Sequence, residues 1–231
     1  MVSKSIKVYS CSNPNQGSSL LFIIISSNSN LKYFKSELTE DEIIDLLSDV
    51  KHRIFPRPFE RLSGVRGRKD VVGVEIGVGG GEHAYSLLKN LDIEHLYLID
   101  PYELYEDYYE GKAHYGVDQR PLDSTEVEAK KLLKPYSDKI TWIKKMSSDA
   151  IADIDEEMDF VYIDGNHDEK FVRDDIRNYF PLLKKSGVLG GHDFYNGFQR
   201  EHDGVILAVI DFLRTHRLQL RVELPDWWIE D

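Results

Sequence analysis

Short apolar runs alternate along this chain with longer stretches whose apolar residues recur at helical spacing. Val71 to Ile76, His95 to Ile99, Ile140 to Ile143, Met158 to Ile163 and Val188 to Gly191 have the length and bounding residues of buried strands. Between them, Gly81 to Leu91, Ser124 to Leu133 (stopped by Pro135) and Ser147 to Ile154 predict helices. In the helix predicted over Phe171 to Phe180, residues Phe171, Val172, Ile176, Tyr179 and Phe180 share one side. Val205 to Leu213 adds a helix, and Leu218 to Val222 with Trp227 to Ile229 closes the chain as an antiparallel pair. Upstream, Ile6 to Tyr9 and Leu20 to Ile25 suit a hairpin, Leu38 to Val50 a helix capped by Thr39, and Phe59 to Asp70 an Arg- and Gly-rich connector. Strands alternating with helices predict an α/β fold with a doubly wound, mostly parallel seven-stranded sheet. We divide the chain into an N-terminal extension, residues 1–60, packed on a domain of residues 61–231.

Composition narrows the function. At 231 residues and 41% hydrophobic, the chain is long enough for one full α/β core. A net charge of −12 and a pI near 5.1 oppose the phosphate contacts that drive nucleic-acid binding, although Arg61 to Lys69 is locally basic. The single cysteine, Cys11, excludes an intrachain disulfide and any metal-finger spacing, which suits the cytoplasm. Leu20 to Ile25 is too short to span a membrane and lacks the flanks of a signal peptide.

The chemistry begins where the first core strand empties into Gly77-Val78-Gly79-Gly80-Gly81 and the next ends at Asp100. Glycines let backbone approach a ligand, the helix they open aims unpaired N–H groups at it, and an acid at the neighbouring strand tip can accept from ribose hydroxyls. The sixth position of the turn is Glu82, where a pyrophosphate would need room and no negative charge, which argues against NAD. Glu75 is an acid in an apolar strand end and needs a cationic or N–H partner. S-adenosylmethionine offers an ammonium and no phosphate.

Two later strands end in polar clusters, Asp164-Gly165-Asn166-His167 and Gly190-Gly191-His192-Asp193. In a parallel sheet both face the edge that carries Gly77 and Asp100. Such oxygen-rich groups suit general acid and base chemistry or a hard divalent cation, Mg²⁺ or Mn²⁺ rather than zinc.

The segments Asp159 to His167, Val172, Asp175-Ile176, Pro181 to Lys184 and Gly187 to Phe194 resemble those of class I S-adenosylmethionine-dependent methyltransferases. Within them the similarity is to the branch holding macrocin-type sugar O-methyltransferases and cephalosporin-hydroxylase-like proteins. The resemblance implies a small-molecule O-methyltransferase with Glu75, Gly77, Gly79, Gly81, Asp100, Ser147, Ser148 and Asp164 at the cofactor. It further implies Asp164, His167 and Asp193 as catalytic residues, with Asp164 and Asp193 holding Mg²⁺ in metal-dependent members. Glu103 is the one candidate for a third acidic ligand. Two departures stand out: Met146-Ser147-Ser148 where many relatives have Gly-Asp-Ser, and Lys185-Ser186 where Pro-Gly is usual.

A tyrosine-rich insert, with Tyr102, Tyr105, Tyr108, Tyr109 and Tyr115 among acids, suits either an acceptor pocket or a solvated loop. The expected partner is a small-molecule acceptor, with no nucleic acid and no membrane; a homo-oligomer stays open. So do two other functions: a non-catalytic S-adenosylmethionine-binding protein, and a metal-dependent enzyme of another reaction type that uses His167 and His192.

Overall fold

Within the described residues the apolar runs become strands of one sheet, and the amphipathic stretches from Gly81 onward become helices on its faces. The computed structural model describes residues 57–105, 119–194, 203–216 and 218–230, together with the backbone of three strands at 4–12, 19–27 and 30–34. The strands are β1 (Lys4–Ser12), β2 (Ser19–Ser27), β3 (Asn30–Phe34), β4 (Val71–Ile76), β5 (Ile93–Ile99), β6 (Ile140–Ile143), β7 (Met158–Ile163), β8 (Leu183–Gly191), β9 (Gln219–Glu223) and β10 (Asp226–Glu230). The α-helices are α1 (Pro58–Leu62), α2 (Glu82–Asn90), α3 (Gln119–Leu133), α4 (Ser147–Ala150), α5 (Glu169–Tyr179) and α6 (Asp203–Thr215).

The sheet order is β3-β2-β1-β9-β10-β8-β7-β4-β5-β6. From β8 to β6 all neighbours are parallel, and β10 then runs antiparallel between β8 and β9. The seven strands expected from the sequence are therefore present, doubly wound and mostly parallel, with the closing antiparallel pair. The sheet nonetheless has ten strands: β1 pairs antiparallel with β9, and β2 and β3 continue it. The expected pairing of Ile6 to Tyr9 with Leu20 to Ile25 lies within β1 and β2, whereas β3 was not anticipated.

Alternation along the strands separates two cores. Val74, Ile76, Val161, Ile163 and Leu189 face Val172 and Ile176 of α5 and Val205, Val209 and Leu213 of α6. On the opposite face Leu96, Leu98, Phe160 and Tyr162 meet Leu87 of α2, Leu133 of α3 and Phe59 of α1. Each fully buried large side chain contributes roughly 1.5–3 kcal/mol. Small residues on β8 admit the inserted strand and α1. A Cβ on Gly190 would stand 2.5 Å from the Phe59 ring, and one on Gly191 would stand 2.9 Å from the Trp227 ring.

The structure corrects three boundaries. The connector over Phe59 to Asp70 contains α1, opened by Pro58, a residue suited to a first helical turn. Helix α3 begins at Gln119 rather than Ser124, because its first turn is polar and shows no apolar period. Strand β8 begins at Leu183 rather than Val188, in a half-exposed stretch that lacks the apolar signal. The helix expected over Leu38 to Val50 lies outside the described residues. Among the described residues no helix is long and apolar enough to cross a membrane.

Candidate active site at the carboxyl edge of the sheet

The residues that follow four parallel strands stand at one level, because each pairs its backbone N–H with the end of the adjacent strand. Gly77 donates to the Ile99 carbonyl at 2.8 Å, Asp164 to Ile76 at 2.8 Å, His192 to Ile163 at 3.0 Å and Asp100 to Ile143 at 3.3 Å. Gly77, Asp100, Asp164 and Asp193 thus share one edge, the one at which ligands of open α/β sheets collect.

The three glycines assigned to the cofactor differ physically. All take positive φ: 83° at Gly77, 52° at Gly79 and 83° at Gly81. A Cβ on Gly77 would stand 2.1 Å from the Asp164 carbonyl oxygen, so this glycine lets the ends of β4 and β7 approach. A Cβ on Gly81 would press on Leu133 and Ala129 of α3, so this one seats α2 against α3. Of the three, only at Gly79 would a Cβ meet nothing within 4 Å among the described residues, which leaves room for a ligand. Asp100 pins that loop: Oδ2 accepts the N–H groups of Val78 and Gly79, both at 3.0 Å, while Oδ1 accepts the Tyr102 N–H at 2.8 Å. Burial raises the Asp100 pKa despite those three donors. The Tyr102 hydroxyl donates to the Gly79 carbonyl at 2.8 Å and the side chain is buried, so this tyrosine is a latch on the glycine loop.

Glu75 has the partner its position demanded, and the sequence reading missed it. His83, in the first turns of α2, places Nδ1 3.2 Å from Glu75 Oε1 with both side chains buried. The other carboxyl oxygen, Oε2, and His83 Nε2 have no hydrogen-bond partner among the described residues. Desolvation dominates both groups, pushing Glu75 well above and His83 well below their ordinary pKa values.

Ser147 opens α4, but its hydroxyl donates to Asp175 of α5 at 2.5 Å and its carbonyl accepts from the Tyr179 hydroxyl at 2.7 Å. Both functions turn toward α5 rather than toward the sheet edge. Ser148, next in the chain, is exposed.

Asp164, His167 and Asp193 offer ligand atoms that all lie within 4.8 Å of one another. His167 Nε2 is 2.7 Å from Asp193 Oδ2, His192 Nδ1 is 3.1 Å from Asp193 Oδ1, and His192 Nδ1 is 3.7 Å from Asp164 Oδ1. Asp193 takes a left-handed φ of 59°, a conformation an aspartate tolerates at a cost of roughly 1–2 kcal/mol. Burial alone would raise its pKa, but the hydrogen bonds from both imidazoles hold it ionised, well below the usual carboxylate range. Burial works to lower the His167 and His192 pKa values, and the facing carboxylates overcome it and raise them. Asn166 joins this cluster to the insert, donating to the Tyr105 hydroxyl at 3.0 Å. Glu103 is exposed and stands outside the cluster, so His167 takes the third place. Of the tyrosine-rich insert, residues 106–118 lie outside the described residues.

The sequence reading also missed Arg57. Its Nη1 lies 2.5 Å from Asp164 Oδ2 and donates to the Tyr162 hydroxyl at 2.9 Å. No motif points to a cation 107 positions upstream of its carboxylate. A divalent ion at Asp164 and Asp193 would face this permanent charge, since a guanidinium keeps its proton. It would also compete with two imidazoles for the Asp193 oxygens. The donor set gathers as a cation site would, but protein groups already answer it; as built, these residues do not fit Mg²⁺.

The geometry agrees with comparison to known proteins. A family model described as a methyltransferase domain matches residues 74–194. No curated protein sequence matches the chain. Among solved structures, a proposed caffeoyl-CoA O-methyltransferase from Staphylococcus aureus superposes with a TM-score of 0.56 at 17% identity, covering 78% of this chain and 86% of that one. A proposed methyltransferase from Streptococcus mutans, in complex with SAH, gives 0.51 at 14% identity over 76% of this chain and 97% of that one. A proposed rRNA methylase from Clostridium thermocellum gives 0.51 at 14% identity, covering 70% and 88%. At such identities these structures show the shared fold alone. The family match runs from the strand before the glycine loop to the residue after Asp193 and takes in over half of the chain; the chain belongs to this methyltransferase-domain family.

Proposed function

We propose that this protein transfers a methyl group from S-adenosylmethionine to a hydroxyl oxygen of a small molecule, with His167 as the base. The observation that carries the reading is the 2.7 Å contact of His167 Nε2 with Asp193 Oδ2 on the same sheet edge as the Gly79 loop. The donor suits the residues present: among the described residues Glu75 Oε2 is buried without a hydrogen-bond partner, and nothing crowds Gly79 beside Asp100. When bound, S-adenosylmethionine supplies an electrophilic methyl carbon on a sulfonium. Gly79 and Asp100 would hold its ribose, Glu75 its ammonium, and Ser148 would stand nearest its adenine.

The acceptor hydroxyl is a poor nucleophile at neutral pH. In its neutral form, with Nε2–H donating to the ionised Asp193, His167 would take the hydroxyl proton on Nδ1 as the C–O bond forms and the C–S bond breaks. Asp193 then stabilises the imidazolium, as an aspartate does behind a histidine base. Base catalysis of this kind contributes typically about 10²–10⁴-fold, and alignment of the reacting atoms roughly 7–11 kcal/mol. Protein groups rather than Mg²⁺ are assigned the chemistry because Arg57 and the imidazoles occupy the carboxylates. The chain's negative charge supports a small acceptor over a polyanion.

The test joins isothermal titration with S-adenosylmethionine, S-adenosylhomocysteine and NAD to a screen of hydroxylated acceptors read by the mass gain of a methyl group. The first two ligands should bind and NAD should not. Asp193→Asn and His167→Gln should lower turnover by about 10²–10⁴-fold while leaving cofactor affinity nearly unchanged. Full activity in these variants, or preferential binding of NAD, would refute the reading.

A further inference from the structure

The segment that precedes the methyltransferase domain puts a fixed positive charge into the reaction site. We propose that Arg57 is the resident cation of this site, standing where a divalent metal would otherwise balance Asp164 and Asp193.

The guanidinium donates through one nitrogen to two partners on β7 and the residue after it. Nη1 meets Asp164 Oδ2 at 2.5 Å and the Tyr162 hydroxyl at 2.9 Å. Tyr162 donates in turn to Asp226 Oδ1 at 3.1 Å, and Asp226 Oδ2 accepts the backbone N–H of Phe59 at 2.8 Å. Since Phe59 lies two residues from Arg57, the hydrogen bonds close into a ring that passes from the chain before α1 through β7 and β10 and back. Phe59 anchors the ring: its side chain is fully buried and packs edge-on to Tyr162 at 5.0 Å between ring centroids. Were this arginine to swing aside, the buried Tyr162 hydroxyl and the Asp164 carboxylate would each lose a donor.

Charge balance points the same way. Asp164 and Asp193 bring two negative charges to the edge; Arg57 supplies one positive charge permanently, and His167 and His192, both within 4 Å of these carboxylates, supply the means for the other. A dication added to this set would stand beside a guanidinium that cannot be deprotonated, and would have to displace it or the imidazoles to reach an oxygen. Removing the arginine reverses the balance and leaves clustered carboxylates of the sort that take hard cations.

Manganese binding tests this without cofactor, acceptor or turnover, so its outcome is separate from that of the methyl-transfer reading. The full chain is titrated with Mn²⁺ and free ion is followed by electron paramagnetic resonance. Wild type and Arg57→Lys should leave Mn²⁺ free up to millimolar concentration. Arg57→Ala should take up one ion per chain, and the double variant Arg57→Ala/Asp193→Asn should lose it again. Arg57→Gln, which keeps a donor for Tyr162 and Asp164, serves if the alanine variant does not fold, and should also gain the ion. Uptake by wild type that is lost in Asp193→Asn would overturn the proposal, as would a folded, charge-removed variant that binds no ion.

Discussion

The hydroxyl of Ser147 donates to Asp175 Oδ1 at 2.5 Å, tying the turn after β6 to the middle of α5. The carboxyl that receives this bond is buried and lies on the apolar side of its helix, beside Val172, Ile176 and Tyr179. Burial pushes its pKa up to about 7; the bond from Ser147 works against the rise and the neighbouring charge of Asp174 adds to it. The serine that the family resemblance assigns to the cofactor thus uses its hydroxyl to tie two elements together.

Stability should depend on pH through this carboxyl. Its folded pKa lies above its unfolded value, so its contribution is fully present below about pH 4 and is lost as pH rises toward 7. The loss is on the order of 2–4 kcal/mol. Asp175→Asn keeps an acceptor for Ser147 and does not titrate. The melting temperature of the variant minus that of wild type should climb between pH 4 and 7 and level off above. A difference that is flat across this range would show that the carboxyl titrates normally.

Gly77 and Gly79 should part company when each is replaced by alanine. At Gly77 the new methyl would stand 2.1 Å from the Asp164 carbonyl, so overpacking of about 1–3 kcal/mol adds to the strain of a positive φ. At Gly79 the methyl meets no neighbour among the described residues and only the conformational cost of roughly 1–2 kcal/mol remains. Gly77→Ala should thus melt far below Gly79→Ala, whereas Gly79→Ala should stay folded and lose affinity for S-adenosylhomocysteine. Thermal melts beside calorimetry would decide it, and equal melting points would contradict the close approach of β4 and β7.

Tyr102→Phe removes one hydrogen bond, the donation to the Gly79 carbonyl, and keeps the buried ring. A bond of this type contributes about 0.5–1.5 kcal/mol, so the loosened loop should bind S-adenosylhomocysteine some three- to tenfold more weakly, roughly. Unchanged affinity would mean that the loop keeps its shape on the Asp100 contacts alone.

Much of the fold was legible because its signals are local. The runs at β4, β5, β7 and the second half of β8 are short and mostly apolar, and parallel order then requires the residues after them, Gly77, Asp100, Asp164 and His192, to share an edge. What stayed hidden depends on contacts across long sequence separations. Arg57 meets Asp164 from 107 residues away, in a stretch with no motif. His83 is invisible as a partner of Glu75 until α2 folds back over β4, and nothing in Ser147 itself reveals that Asp175 claims its hydroxyl. The glycines show the same limit: three look alike in sequence, and only packing separates the one beside open space from the two that seat structural elements.

Glu75 and His83 should couple cofactor binding to proton release. Desolvation drives both toward their neutral forms; in Glu75 the charges of Asp164, Asp100 and Glu60 add to burial and Arg57 opposes it. The pair is then a carboxylic acid against a neutral imidazole, with Glu75 Oε2 left over. A ligand ammonium brought to that oxygen favours the carboxylate and expels its proton. Affinity should rise with pH, by at most about tenfold per unit, up to the pKa of the ligand-free carboxyl, and become flat beyond it. Titration calorimetry in buffers of different ionisation enthalpy reads the released proton directly. Glu75→Gln keeps a donor for His83 and should fold within about 1 kcal/mol of wild type. It has no proton to lose, so its weaker binding should carry no buffer-dependent heat. Identical binding heats for wild type in all buffers would show instead that Glu75 is already ionised or lies out of the ligand's reach.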